Sequence, residues 1–106
     1  MKKYYNNTIP VKGFAAVNLF GILFIRKNVI LTDRMINHEE IHTAQMRELL
    51  YVFFYLWYGV EWLFKLFKYG LKGAYFNISF EREAYQNDND LRYLEKRKMF
   101  EWVKFI

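Results

Sequence analysis

The chain contains no cysteine among its 106 residues. Disulfide scaffolds, thiol nucleophiles and thiolate metal sites are therefore excluded, while the redox compartment stays open. Proline occurs once, at Pro10, and histidine twice, at His38 and His42. The sequence also lacks an uninterrupted run of about 20 apolar residues, the length a helix needs to span a bilayer. Leu49 to Tyr58 is apolar or aromatic throughout, but Glu61 and Lys65 follow within the next turns. The net charge is +5, yet Lys and Arg are spread along the chain and form no basic stripe. No nucleic-acid-binding module accompanies them, so no nucleic-acid partner is expected. Repeats and low-complexity segments are absent as well.

Aromatic residues are abundant, at 22% of the chain. A single domain of this size cannot bury them all, so some must face a partner, a lipid surface or a substrate groove. Combined with the positive charge, they favour attraction to an anionic membrane surface through residues 49–67. The N-terminus makes a poor signal peptide, because polar residues interrupt before the apolar run from Phe14 to Ile25 and no small-residue cleavage site closes it. The expected location is the cytoplasm, with a peripheral place on the inner face of the membrane left open.

Along the chain, residues 1–13 read as an irregular or extended lead-in. Leu19 to Ile25 and Asn28 to Thr32 read as two short strands of a hairpin, with Arg26-Lys27-Asn28 as the turn. Thr32-Asp33 offers an N-cap for the helix that follows. At about 100° per residue, Met35, His38, His42, Gln45, Met46 and Leu49 share one arc of that helix. Asn37, Glu40, Thr43, Ala44 and Arg47 take much of the remainder. The segment from Leu49 to Phe67 reads as a buried or interface-lying helix that Gly59 can bend or divide, with a surface pair between Glu61 and Lys65. Lys68 to Asn77 reads as a linker, and Ser79 as the N-cap of a further helix. Asn87 to Asp90 is a break or a solvated face. A last helix is expected from about Asp90 to Phe105. The fold class is thus α+β, mainly α: a short N-terminal β-hairpin followed by three to four helices.

The one stretch with recognisable chemistry is His38-Glu39-Glu40-Ile41-His42, which reads H-E-x-x-H and uses both histidines. Residues four apart on a helix share a face, so the two imidazoles can meet one metal ion with Glu39 beside them. That geometry suits Zn²⁺ with an open position for water, which the glutamate can deprotonate. A third protein ligand is needed, and without cysteine or a third histidine it must be a carboxylate. Glu81 and Glu83, about forty residues on, are the candidates. On a helix they point about 200° apart, so only one can face the site. Gln45 extends the histidine face by a turn and is placed to hydrogen-bond near it.

With Glu81-Arg82-Glu83-Ala84, the motif resembles the zincin superfamily and, within it, the gluzincins. The order of elements, the H-E-x-x-H-x-x-Q continuation at Gln45 and the F-E-R-E-A segment look like a group of small bacterial zincin-like proteins. The resemblance implies a single zincin-like domain over residues 1–106 and makes Glu81 the third ligand, with Glu83 in reserve. Gluzincins carry an Asp after the E-x-x-A, which orients a zinc-bound histidine; here Tyr85 stands in its place. The small Ala84 would let the two helices approach closely. An edge strand within Leu19 to Thr32 would hold a peptide substrate by backbone pairing.

The implied activity is zinc-dependent peptide-bond hydrolysis with Glu39 as general base, acting on a peptide or protein substrate. Tyr85, Tyr93 and Arg82 are candidates for an oxyanion donor. The alternative class is a catalytically inactive zinc-binding or membrane-surface module, and an oligomer that completes the cleft stays open. A metal-free membrane-surface protein with an accidental H-E-x-x-H is the remaining reading.

Overall fold

The computed structural model describes residues 2–6, 16–27 and 29–106. It is an α+β fold, mainly helical, that opens with a small sheet: β1 (Lys2–Asn6), β2 (Ala16–Leu19) and β3 (Ile22–Arg26). Four helices follow, α1 (Asp33–Glu48), α2 (Val52–Asn77), α3 (Ser79–Asn87) and α4 (Tyr93–Lys96), and a 3-10 turn over Glu101–Phe105 closes the chain. Of the expected lead-in, residues 2–6 form β1, while residues 7–13, with Pro10, lie outside the described residues.

The sheet order is β1-β3-β2, with β1 parallel and β2 antiparallel to the central β3. The hairpin therefore differs from the one expected. Its turn is Phe20-Gly21, where both residues have positive φ, 53° and 85°, as a two-residue hairpin turn with the right twist requires. Glycine supplies that conformation without a Cβ penalty, and the Arg26-Lys27-Asn28 stretch has no glycine. Residues 29–32 form no strand and lead into α1 instead. Leu23 and Ile25 turn to the interior and are fully buried.

Thr32 caps α1, its hydroxyl accepting from the Met35 amide at 3.2 Å. The buried arc of α1 differs from the one the sequence suggests: Asn37 and Thr43 are buried and Met35 is exposed. Both polar residues are used: Thr43 meets Asn18 of β2, and Asn37 holds the turn after α3. Leu50 and Tyr51, both at positive φ, set α2 at 108° to α1.

Gly59 neither bends nor divides α2. The break falls at Gly70 (φ 76°, ψ −176°), and beyond it the chain is helical to Asn77, where a linker was expected. Glu61 and Lys65 do pair, at 2.9 Å, but Glu61 is buried and not on the surface. Its carboxylate accepts from the Ser79 amide at 2.9 Å and from the Ser79 hydroxyl. Ser79 is thus the first residue of α3, not its cap, and a side chain from α2 satisfies the free amide at the helix start. Burying that carboxylate is tolerable because Lys65 and two donors from Ser79 meet it.

The long C-terminal helix is interrupted after Lys96. Arg97 turns inward to reach Glu48 and Glu83, and Phe100 takes a left-handed conformation (φ 59°), so local helix propensity yields to a buried ion-pair cluster. The main core joins Met46, Phe54, Ile78, Phe80 and Trp102, and a second cluster joins Ile41, Ala84 and Tyr93. Ala84, with only a methyl group, packs fully buried in the cluster that joins α3 to α1.

Candidate metal centre

Helical spacing puts the rings of His38 and His42 one turn apart on the inner face of α1, their centroids 4.7 Å apart. α3, pinned at its start by Glu61, sends Glu81 toward them. The two Nε2 atoms lie 3.1 Å from each other, and Glu81 Oε1 lies 3.2 Å from that of His38 and 3.0 Å from that of His42. All three residues are buried. Among the described residues this is the one group of three histidine or acidic side chains whose donor atoms can share a metal ion.

Hydrogen bonds behind the rings decide what faces the centre. His38 Nδ1 lies 2.9 Å from Asp88 Oδ2, and an ionised carboxylate can only accept. His42 Nδ1 lies 2.7 Å from Gln45 Oε1, while Gln45 Nε2 is committed to Phe80 O at 3.0 Å and Glu83 Oε1 at 2.9 Å. The network therefore assigns the proton to Nδ1 on each neutral ring. Each Nε2 then presents a lone pair to the other and to Glu81 Oε1. The Tyr58 hydroxyl takes the other oxygen, donating to Glu81 Oε2 at 2.7 Å. Three lone pairs converge in a buried space, an arrangement that calls for a cation.

Without a metal, a proton serves that purpose. Burial opposes charge on His42, but the Glu81 carboxylate, by its charge and its hydrogen bond, together with Glu39 and Gln45, raises its pKa to about 9. Burial likewise opposes ionisation of Glu81. The charge of His42, together with the contacts that His38, His42 and the Tyr58 hydroxyl make with Glu81, outweighs burial and holds that carboxyl well below the usual range.

Each of the two histidines is backed by a chain that ends in an arginine. Asp88 behind His38 is bound by Arg34 Nε at 2.7 Å, and Asn37 donates to the backbone oxygens of Asp88 and Asp90. Behind His42 the chain runs through Gln45 to Glu83, which Arg97 meets at 2.5 Å and the Tyr93 hydroxyl at 2.6 Å. Glu83, the reserve ligand, thus faces away from the centre and anchors the amide of Gln45. Tyr85 does not stand in for the missing Asp: its ring edge packs on His38 at 4.4 Å, and its hydroxyl bonds that of Tyr75 at 3.0 Å. The carboxylate comes instead from Asp88, three residues on and just beyond α3. The sequence reading missed it within a group taken for a break or a solvated face, although a spacing of three sets it on the helix face of Tyr85.

Glu39 is half-buried beside the centre. Burial raises its pKa, against the lowering influence of His42 and His38. Its carbonyl accepts from Asn18 Nδ2 at 2.9 Å and from Thr43 Oγ1 at 3.1 Å, which ties β2 to this turn of α1. A cavity of about 240 Å³ opens between β2 and the tyrosines of α2, and one of about 520 Å³ lies toward Arg34 and Tyr85. His38, Glu39 and Tyr75 line both. The edge strand beside the centre is β2, Ala16–Leu19, largely upstream of the range expected for it. Tyr93 and Arg82 are engaged elsewhere, with Glu83 and with the Phe105 carbonyl, and neither lines these cavities. Tyr75 lines both and had drawn no notice in the sequence.

No family model, curated protein or solved structure matches the chain.

Proposed function

We propose that the protein is a zinc-dependent metallopeptidase in which His38, His42 and Glu81 hold the ion and Glu39 is the general base. The observation that carries this reading is the triangle of Nε2, Nε2 and Oε1 atoms, with sides of 3.0 to 3.2 Å. Ligands about 2.0–2.1 Å from a tetrahedral ion stand about 3.3 Å apart, so these donors need to move little. Two imidazoles and one carboxylate also leave a fourth position, as a catalytic zinc requires. When bound, such an ion supplies Lewis acidity, polarising a carbonyl and acidifying water.

The remaining steps fall to this chain's own side chains. Glu39 removes a proton from the attacking water as its oxygen bonds to the peptide carbon. It then returns that proton to the nitrogen as the C–N bond breaks. A carboxylate whose pKa burial has raised is the stronger base for this task. β2 is an edge strand among the described residues, and its outer edge can pair with an extended peptide and lay its backbone along the cavity. Tyr75 offers a hydroxyl donor at the junction of both cavities for the developing oxyanion.

The test is a Glu39→Gln variant assayed for zinc content and for cleavage of an unstructured protein. It should retain zinc and lose about 10²- to 10⁴-fold in rate. Equal cleavage by variant and wild type would contradict the assignment.

A further inference from the structure

The outward side of α2 is apolar from Phe53 to Phe67, the reverse of an ordinary surface helix. Phe53, Leu56, Val60, Leu63, Phe64 and Phe67 recur at three- and four-residue spacing and are all exposed, Phe64 at 77% and Phe67 at 91%. Trp57 lies in the same stripe, and beside it an apolar groove of about 490 Å³ runs toward Trp102 and Ile106. The inward side carries Phe54, Tyr58 and Glu61, the residues that pack on the core or serve α3 and Glu81. Among the described residues nothing covers this stripe, and an exposed apolar surface of that extent marks a site of interaction.

Charge distinguishes between candidates for what covers it. From Leu49 to Asn77 the only acid is Glu61, which is buried, whereas Lys68 and Lys72 are exposed. A symmetric contact between two copies would present this basic flank on both sides, with no exposed carboxylate in the segment to answer it. An anionic surface answers both the lysines and the stripe. Among the described residues no single helix is long and apolar enough to cross a membrane, so the helix would lie in the interface rather than span it.

The geometry points to an anionic lipid surface as the partner of this face: the aromatic stripe of α2 enters the headgroup region, and Lys68 and Lys72 meet lipid phosphates or carboxylates. This stripe stands apart from the metal centre, so the inference does not depend on the peptidase reading.

Sedimentation with vesicles tests it, using phosphatidylcholine alone or with about 30 mol per cent phosphatidylserine. Wild type should bind the mixed vesicles, and weaken as salt is raised. Phe64→Ser with Phe67→Ser changes only exposed positions and should reduce binding on the order of tenfold or more. Lys68→Glu with Lys72→Glu should cost about fivefold or more per lysine. Glu39→Gln should bind as wild type does. Absence of binding by wild type would overturn the inference, as would undiminished binding by the Phe64/Phe67 variant. A dimer in light scattering that the same double substitution dissolves, without vesicle binding, would assign the face to a second copy.

Discussion

His38 Nδ1 lies 2.9 Å from Oδ2 of Asp88, a residue fifty positions away along the chain. That contact fixes the tautomer and ring orientation of His38 and leaves Nε2 as a lone pair aimed at Glu81. Gln45 does the same for His42, through an amide that Glu83 holds in place. The imidazoles are thus set for a cation by groups that never reach it themselves.

Asp88→Ala removes the acceptor behind His38. Metal affinity should fall about 10- to 100-fold, measured by competition with a chromophoric chelator. Tyr85→Phe is the control and should bind as wild type does, because the Tyr85 hydroxyl bonds Tyr75 and not the imidazole. Reversed results would return the orienting role to Tyr85.

Glu83 and Glu81 should separate cleanly in their effects. Glu83 is wholly buried against Arg97, so Glu83→Ala should cost about 3–5 kcal/mol of stability in a urea titration. Glu81→Ala should instead remove metal binding. A Glu83→Ala protein as stable as wild type, or a Glu81→Ala protein that still binds metal tightly, would contradict these roles.

Metal-free protein should lose stability in mildly alkaline solution. The pKa of His42 is raised from 6.5 to about 9 in the folded chain. Below 6.5 the ring is protonated in both states, and its attraction to Glu81 stabilises the fold in full. As pH rises through 9 the folded chain gives up that proton and the contribution disappears. Thermal unfolding with a chelator present should show this fall, and zinc-loaded protein should not.

Tyr75→Phe should keep zinc and lower kcat on the order of 10²-fold or more, as removal of one oxyanion donor does. An unchanged kcat would leave Tyr75 as a packing residue only.

Much of this was legible in the sequence because it depends on spacing within one helix. The four-residue spacing of His38 and His42, and a threonine before an acidic first turn, specify the face and start of α1 without reference to the rest of the fold. The mainly helical α+β class could be read in the same way. What was not legible depends on contacts between distant segments. Asp88 looked solvated because its partners, Arg34 and His38, lie about fifty residues earlier. Ser79 looked like a cap because Glu61, which does the capping, is on another helix. Arg97 looked like part of a charged helix face because nothing local reveals that Glu48 and Glu83 wait for it. Turn chemistry accounts for the hairpin and for α2: at both places the backbone departs from the expected path at a glycine with positive φ, Gly21 and Gly70, and the glycine weighed for a bend, Gly59, is simply helical.

Metal stoichiometry bears most directly on the central claim. Protein purified without added metal, stripped with chelator and dialysed against zinc, should hold one ion per chain by elemental analysis. His42→Ala and Glu81→Ala, checked for helical content, should hold none, while Glu39→Gln should match wild type. A wild-type chain that takes up no zinc, or a Glu81→Ala chain that takes up as much as wild type, would contradict the account.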